Sequence, residues 1–247
     1  GYRCSCHRGY RLTGDNTTCA DIDECTEFKS KIPCVGRCVN LPGSYRCACP
    51  SGYRLSEDKR SCIDIDECET GEASCSGSTW SGSGSSDVCL NTRGGYRCHK
   101  IVCPAGYQLE TKNRCTKVER VCPPADWDCA HQPSTYSYNF ITFVSKLYIP
   151  ASKVDLFTMR GPTWAHAITR FTLRLNVANA PPSVKTKAEI NSFLLTQSGN
   201  QGVVSLVRSL EGPQSIELEL IMELYNNGQF GGIAIAKIFI FVSEYEF

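Results

Sequence analysis

The chain has 247 residues, with 26 basic and 25 acidic side chains and a formal net charge of +1. This balance gives no electrostatic reason to bind nucleic acid or an anionic membrane surface, and we expect neither partner. No stretch approaches the roughly 18 consecutive apolar residues of a membrane span, and the first residues, GYRCSC, do not resemble a secretion signal. We therefore expect no membrane span and a chain that begins inside a larger unit.

The cysteines divide the chain into two halves. All 17 lie between Cys4 and Cys129, which predicts a disulfide-dense first half and a second half without disulfides. Two sets of six have related spacing, and half a set precedes them: Cys25, Cys34, Cys38, Cys47, Cys49 and Cys62; Cys68, Cys75, Cys89, Cys98, Cys103 and Cys115; and Cys4, Cys6 and Cys19. Six cysteines allow many connectivities, so the spacing alone does not choose one.

These sets belong to an internal repeat. The segments GYRCSCHRGYRL, SYRCACPSGYRL and GYRCHKIVCPAGYQL are three versions of one unit. Each unit has too few large aliphatic residues for an ordinary core, so disulfides must supply the constraint, at about 2–4 kcal/mol each. Cys-x-Cys pairs also occur in zinc sites, but the matching repeats favour disulfides and an oxidising, extracellular setting.

The acidic segment DIDEC occurs twice, at residues 21–25 and 64–68. Three carboxylates in four residues repel one another unless a cation lies between them. Asn40 and Asn91 follow the two segments, each two residues after the third cysteine of its set, and offer a further oxygen ligand. This recurrence favours a metal site over the alternative, an acidic linker.

DIDEC, the later Cys-Val-Asn, and Cys47-Ala48-Cys49 resemble the pattern of calcium-binding modules like those of epidermal growth factor (EGF). The resemblance implies first-to-third, second-to-fourth and fifth-to-sixth pairing: Cys25–Cys38, Cys34–Cys47, Cys49–Cys62, Cys68–Cys89, Cys75–Cys98 and Cys103–Cys115, with Cys6–Cys19 in the half set. Cys4 would then have its partner upstream of residue 1. The competing interpretation of Cys4 is a reactive free thiol.

The resemblance also implies calcium as the cofactor, bound by carboxylate, amide and backbone carbonyl oxygens. The implied ligands are Asp21, Ile22, Glu24, Asn40, Leu41 and Ser44 at the first site, and Asp64, Ile65, Glu67, Asn91, Thr92 and Gly95 at the second. Asp23 and Asp66 are expected to be solvated or to cap local amides instead. Because one residue separates each closing cysteine from the next DIDEC, bound calcium would stiffen the tandem into a rod. Gly9-Tyr10 and Gly52-Tyr53 would pack across these junctions or, alternatively, within their own modules.

The last module departs from the pattern in two places. Four residues, 99–102, separate Cys98 from Cys103 where the other units have one, and a Ser/Gly-rich loop fills residues 76–88. We expect this loop to be mobile. Trp80 in it is either a contact residue or an exposed aromatic in an accidental insertion. The widened step resembles the final module of the fibulins.

The second half of the chain predicts β structure. CPPADWDC predicts a small loop disulfide, Cys122–Cys129, and period-two alternation follows it. We expect seven short antiparallel strands near 137–149, 154–160, 167–178, 190–198, 202–210, 214–225 and 232–243, packed as a β-sandwich. The expected core is Phe140, Phe143, Leu156, Phe171, Leu173, Leu175, Leu206, Ile216, Leu218, Leu220, Ile235, Ile238 and Ile240.

This half resembles the fibulin-type C-terminal module through CPPADWDC, VRSLEGP at 207–213 and the ending IFVSEYEF. By resemblance, the chain is identified as a member of the fibulin and hemicentin family. Its fold class is tandem small disulfide-rich EGF-like modules plus an all-β, sandwich-like C-terminal domain. The implied domains are a module fragment at 1–20, calcium-binding modules at 21–63 and 64–116, and the C-terminal β domain at 117–247.

No catalytic signature accompanies the four histidines, so we predict that the chain is not an enzyme. Asn16 in Asn-Thr-Thr is an acceptor for N-glycosylation, or else an unmodified turn residue. The resemblance implies a secreted extracellular-matrix glycoprotein, with elastic-fibre or basement-membrane proteins as partners, a link to cell adhesion, and possible self-association. The alternative is a secreted ligand that acts on a cell-surface receptor through one EGF-like module.

Overall fold

The computed structural model describes residues 3–27, 34–75, 85–118, 122–123 and 126–247. By its internal contacts the chain divides into two compact units, Gly1–Asp66 together with Phe247, and Glu67–Glu246. This division falls inside the last EGF-like repeat, so the domain limits expected from the sequence stay a prediction. None of the helices in the described ranges has the length and apolar character that a membrane crossing needs.

The first unit consists of short hairpins held by disulfides. Strand β1 (Tyr10–Leu12) pairs with β2 (Cys19–Asp21), β3 (Arg37–Leu41) with β4 (Ser44–Ala48), and β5 (Tyr53–Leu55) with β6 (Cys62–Asp64). One helical turn, α1 (Glu24–Glu27), follows β2. The disulfides are Cys6–Cys19, Cys25–Cys38, Cys34–Cys47 and Cys49–Cys62. The buried Cys34 and Cys47 form part of the small core, which fits the scarcity of large aliphatic side chains.

The second unit begins with the last module. It contains α2 (Glu67–Thr70), the hairpin of β7 (Ser85–Thr92) and β8 (Gly95–Val102), the hairpin of β9 (Tyr107–Thr111) and β10 (Arg114–Lys117), and α3 (Trp127–His131). Its disulfides are Cys68–Cys89, Cys75–Cys98, Cys103–Cys115 and Cys122–Cys129. The eight disulfides among the described residues join the cysteines that the EGF-like resemblance implies and, for Cys122–Cys129, the pair expected from CPPADWDC. Most of the Ser/Gly-rich loop, with Trp80, lies outside the described residues.

Seven strands build the C-terminal domain, as the alternation predicts: β11 (Thr135–Phe143), β12 (Val154–Arg160), β13 (Ala167–Asn179), β14 (Phe193–Ser198), β15 (Gln201–Leu206), β16 (Gln214–Asn226) and β17 (Gln229–Val242). Two short 3₁₀ turns lie at Pro150–Ser152 and Ile190–Ser192. The strands form one sheet in the order β13-β16-β17-β11 and a second in the order β12-β15-β14. The predicted fold class, disulfide-rich EGF-like modules plus an all-β domain, is confirmed.

Apolar side chains from the two sheets form the core of this domain. Alternate residues of β16 and β17, such as Leu218, Leu220, Ile238 and Ile240, are fully buried there. The intervening residues of the same strands face outward, which explains the strict period of two in the sequence. Phe140, expected in this core, packs instead in a second cluster on the outer face of the sheet.

One pairing in the sheet differs from the expected antiparallel arrangement. Strand β11 runs parallel to β17, with Thr135 opposite Ala234 and Phe143 opposite Val242. Parallel neighbours need a crossover rather than a turn. The five intervening strands supply that crossover, so β11 enters the sheet beside the last strand of the domain.

The large sheet also extends into the last module. Strand β10 pairs with β11, with Cys115 opposite Tyr136, and β9 continues the sheet beyond β10. The result is a six-stranded sheet in the order β13-β16-β17-β11-β10-β9. The last module and the C-terminal domain thus share a backbone hydrogen-bond network within one compact unit.

Candidate functional site

The first expected calcium site brings together Asp21 at the end of β2 and Asn40 in β3. Asn40 Nδ2 donates to Asp21 Oδ2 at 2.7 Å, and the backbone N–H of Gly43 donates to Asp21 Oδ1 at 2.6 Å. These two hydrogen bonds, of which the one from Gly43 has the larger effect, hold the pKa of Asp21 below its ordinary value. The carboxylate is therefore charged at neutral pH. The side-chain nitrogen of Asn40 faces Asp21. To act as a ligand, Asn40 must therefore point its side-chain oxygen toward the cation.

Glu24 opens α1 three residues after Asp21. Its Oε2 is buried and has no hydrogen-bond partner among the described residues. Glu67 opens α2 at the corresponding position of the last module, is 8% exposed, and also has a buried Oε2 without a hydrogen bond. A buried carboxylate oxygen left unsatisfied costs more than the roughly 1–3 kcal/mol of a neutral group. A hard cation that prefers oxygen ligands would satisfy both atoms, so the residues present fit calcium.

The backbone ligands expected at the first site lie in the same neighbourhood of the fold. Ile22 donates its N–H to Gly9 O at 2.9 Å, which fixes the chain between the first two modules. Leu41 and Ser44 are the last paired residues of the β3–β4 hairpin, next to the Gly43 amide that holds Asp21. Leu41 and Ser44 therefore lie beside the turn that holds Asp21, and the complete ligand set of this site stays a prediction.

The second expected site is divided between the two compact units, and each part is described by itself. In the first unit, Asp64 ends β6 and Ile65 donates its N–H to Gly52 O at 2.9 Å, as Ile22 does to Gly9. In the second unit Thr92 and Gly95 close the β7–β8 hairpin, and Thr92 Oγ1 donates to Gly95 O at 2.9 Å. Asn91 precedes them in β7. This ligand set stays a prediction.

Two further observations concern the acidic residues. Asp23 caps α1, because its Oδ1 accepts from the N–H groups of Cys25 and Thr26 at 3.0 and 3.3 Å. In the ranges that the structure describes, no three His, Cys, Asp or Glu side chains converge as a metal-binding group. The expected sites do not need such a group, since amide and backbone oxygens supply most of their ligands.

The junction between the first two modules is closely packed. Gly9 has φ +86°, and a Cβ built there would lie 2.1 Å from Gly43 O. The Tyr10 ring lies against Gly43, with its Cε2 2.8 Å from the position of a Cβ on that glycine. Gly9-Tyr10 therefore packs across the junction onto the hairpin that holds Asp21.

Replacing Gly9 with alanine should loosen this junction. The added methyl group meets a backbone carbonyl, so the hairpin of β3 and β4 must shift away. Limited proteolysis with calcium present should show faster cleavage near residue 20 than in the wild-type chain. Gly71→Ala is the matched control, because Gly71 has φ +77° and open space around it. Equal cleavage of the two variants near residue 20 would contradict the packing role of Gly9.

The widened Cys98–Cys103 step has a structural role that the sequence did not indicate. It lengthens β8 to Val102 and places Ile101, 0% exposed, in a cluster with Cys115 and Tyr138. Tyr138 also donates its hydroxyl to Val102 O at 3.3 Å. The four residues that distinguish this module from the others thus attach it to β11 of the C-terminal domain.

Aromatic rings continue the same interface. The His99 ring lies 5.1 Å from that of Phe140 and 4.6 Å from that of Phe239, centroid to centroid. Burial lowers the pKa of His99, and the Glu217 carboxylate opposes that shift in part. Tyr107 donates to Pro133 O at 2.5 Å, and burial raises its pKa to about 12.

The lowered pKa of His99 predicts a pH dependence. Burial favours the neutral imidazole in the folded state, so its contribution to stability is complete above the ordinary pKa of about 6.5. This contribution to stability is lost as the pH falls from about 6.5 through the lower pKa that His99 has in the folded state. The urea concentration at the midpoint of unfolding should therefore decrease more between pH 7.5 and pH 5.5 in the wild-type chain than in the His99→Phe variant. An identical drop in both proteins would show that other groups cause it.

Asn16 lies in the turn between β1 and β2, with φ +56° and an exposed side chain. An exposed turn is compatible with glycan attachment, and glycosylation stays a prediction. Cys4 is exposed and has no disulfide partner among the described cysteines.

Comparison with known proteins agrees with this architecture. Residues 134–244 match the family model of the fibulin C-terminal Ig-like domain, and residues 64–115 match that of the calcium-binding EGF domain. Residues 1–24 and 44–67 match the complement Clr-like EGF-like family. The module that carries the widened step and buried Glu67 is thus of the calcium-binding type.

Individual relatives cover most or all of the chain. It is 33% identical to Fibulin-7 of Mus musculus over 99% of its length and 35% identical to Fibulin-5 of Rattus norvegicus over 65%. It is 28% identical to Hemicentin-1 of Homo sapiens over 100% of its length. The chain spans 54%, 32% and 3% of these three relatives, so it corresponds to about half of Fibulin-7. From its EGF-like modules, its C-terminal domain and these relatives, we conclude that the chain belongs to the fibulin and hemicentin family.

Proposed function

We propose that the chain is part of an extracellular-matrix structural and adaptor glycoprotein. In this proposal, calcium braces the tandem EGF-like modules, and the C-terminal β domain binds proteins of elastic fibres or basement membranes. Membership of the fibulin and hemicentin family supports the extracellular setting, and the eight disulfides require oxidising conditions.

The observation that carries the calcium part is the pair of buried, unsatisfied carboxylate oxygens, Glu24 Oε2 and Glu67 Oε2. Calcium supplies a divalent charge that these oxygens can coordinate. At the first site, Asp21 is already held as a charged carboxylate by the β3–β4 hairpin. Calcium bound by both Glu24 on α1 and Asp21 on β2 would connect the start of one module to the end of the previous one.

Extracellular modules of this kind bind calcium with dissociation constants of about 10⁻⁴–10⁻³ M. Sites in this range are substantially loaded in tissue fluid. The proposed role of the site residues is therefore to fix the junction rather than to sense calcium.

Binding of the full chain to purified elastic-fibre and basement-membrane proteins tests the adaptor part. We expect saturable binding with calcium and weaker binding with a chelator, because loosened junctions increase the entropy lost on docking. A receptor-phosphorylation assay on cells tests the alternative, a signalling ligand. Receptor activation without matrix binding would replace the adaptor proposal with the ligand proposal.

A further inference from the structure

Strand β13 (Ala167–Asn179) is an exposed edge of the C-terminal domain. It ends the six-stranded sheet and has one hydrogen-bonded neighbour, β16. It has 13 residues, whereas the other edge strands of the six-stranded and three-stranded sheets, β9, β12 and β14, have 5, 7 and 6. Proteins usually keep exposed edge strands short, because their unpaired N–H and C=O groups recruit further strands. The length of β13 therefore suggests a docking edge.

The start of this edge is capped and its middle is open. Asn200 Nδ2 donates to Ala167 O at 3.2 Å, and Gln197 Nε2 donates to Thr169 O at 2.7 Å. Backbone groups of alternate residues face the same edge of a strand, so those of Phe171, Leu173 and Leu175 face outward further along. Within the described ranges, these outward groups make no hydrogen bond. A bulge between Leu175 and Val177 ends the regular stretch.

Charges on the outer face of the sheet alternate in sign across the strands. Lys237 of β17 lies opposite Glu219 of β16, which lies opposite Arg174 of β13. Arg170 of β13 likewise lies opposite Glu223 of β16. Opposite charges in directly facing pairs stabilise a sheet, and like charges destabilise it. An added strand continues the alternation when it places carboxylates opposite Arg170 and Arg174.

The same charges argue against a second copy of the chain at this edge. An antiparallel pair of β13 strands centred on Thr172 brings Arg170 of one copy opposite Arg174 of the other. Centring the pair on either arginine brings that residue opposite itself. These three registers place like charges in facing positions, which disfavours them. Registers centred on Phe171 or Leu173 face both arginines with uncharged residues, so an acidic segment pairs their charges and a second copy does not.

We propose that the open edge of β13 binds an extended acidic segment of a partner protein as an added antiparallel strand. Two carboxylates of the partner, four residues apart, lie opposite Arg170 and Arg174. Apolar side chains between them lie on the other face of the sheet, the face that carries Phe171 and Leu173. Backbone hydrogen bonds to Phe171, Leu173 and Leu175 supply affinity, and the arginines supply specificity. This inference deepens the proposed adaptor function and rests on it, since it names the surface and the chemistry of the partner.

A fluorescent peptide with the sequence Ser-Glu-Val-Thr-Val-Glu-Ser, blocked at both ends, tests the proposal on the full chain. We expect it to bind by fluorescence anisotropy, and the same peptide with lysine in place of glutamate to bind at least about tenfold more weakly. Arg170→Glu/Arg174→Glu should reverse that preference. Arg160→Glu/Arg208→Glu, an equal charge change at exposed positions outside β13, is the control and should keep the wild-type preference.

Amide exchange followed by NMR supplies a readout of the edge itself. The N–H groups of Phe171, Leu173 and Leu175 should exchange at least about tenfold more slowly when the acidic peptide is bound, because they then donate to it. No binding of the acidic peptide up to about 1 mM, equal binding of both peptides, or unchanged exchange at these residues would overturn the proposal.

Binding of the same variants to purified matrix proteins separates the two proposals. Loss of binding in Arg170→Glu/Arg174→Glu alone supports the β13 edge. Unchanged binding in that variant would reject this surface while the adaptor function stands. Absence of matrix binding by the wild-type chain would reject the adaptor function, whatever the peptide does.

Discussion

Replacing Ile101 with alanine should lower the free energy of unfolding of the second unit by about 2–5 kcal/mol. Ile101 is 0% exposed and packs with Cys115 and Tyr138 at the interface between the last module and the C-terminal domain. The substitution leaves a cavity there, because β8 and β11 are held by strand pairing and cannot collapse onto it. The expected loss is large for a residue outside the β-sandwich core.

Urea denaturation monitored by circular dichroism measures this effect. Val102→Ala is the matched control, since Val102 is the next residue and its side chain is 58% exposed. It should change the free energy of unfolding by no more than about 0.5 kcal/mol. A similar small change in Ile101→Ala would show that the last module does not stabilise the domain through this cluster.

Replacing Glu24 with glutamine should have opposite effects with and without calcium. Without calcium the variant should be at least as stable as the wild-type chain, because it no longer buries an unsatisfied charged oxygen. With about 10 mM calcium, a site with a dissociation constant of 10⁻⁴–10⁻³ M stabilises the wild-type junction by about 1.4–2.7 kcal/mol. The variant should lose most of this gain at the first site.

Thermal unfolding at a series of calcium concentrations measures both effects. Glu57→Gln is the control, because Glu57 is exposed in the same unit and the substitution is chemically the same. We expect this control to follow the wild-type chain. A Glu24→Gln variant that is destabilised without calcium and fully stabilised with it would contradict the assignment of Glu24 as a ligand.

Local patterns in the sequence predicted much of the structure. The EGF-like resemblance implied seven of the disulfides among the described residues, and the short segment CPPADWDC predicted the eighth, Cys122–Cys129. Each of them closes a loop that is local in the sequence. Alternation in β16 and β17 predicted their strands, since one face of each is buried and a shift by one residue would expose it. Asp21 and Glu24 could be proposed together because their spacing recurs at residues 64 and 67. Asn40 could be added because it lies two residues after the third cysteine of its set, as Asn91 does.

The remaining features depend on contacts that are distant in sequence. Nothing in the segment Thr135–Phe143 indicates that it pairs in parallel with β17 on one side and with β10 on the other. Phe140 and Phe143 look alike in the sequence, yet they face opposite sides of the sheet, because the last module covers one face and the second sheet covers the other. The widened Cys98–Cys103 step indicated where the last module differs from the others. The burial of Ile101 could not be predicted, because it depends on contact with Tyr138 of β11.

Calcium titration of the full chain by calorimetry, with limited proteolysis at each point, tests whether calcium braces the module junctions. We expect binding with dissociation constants of about 10⁻⁴–10⁻³ M and suppressed cleavage near residues 20 and 63. We also expect that Glu24→Gln abolishes protection near residue 20 and that Glu67→Gln abolishes it near residue 63. No binding and no protection up to about 10 mM calcium, or full protection in both variants, would contradict calcium-braced junctions at these residues.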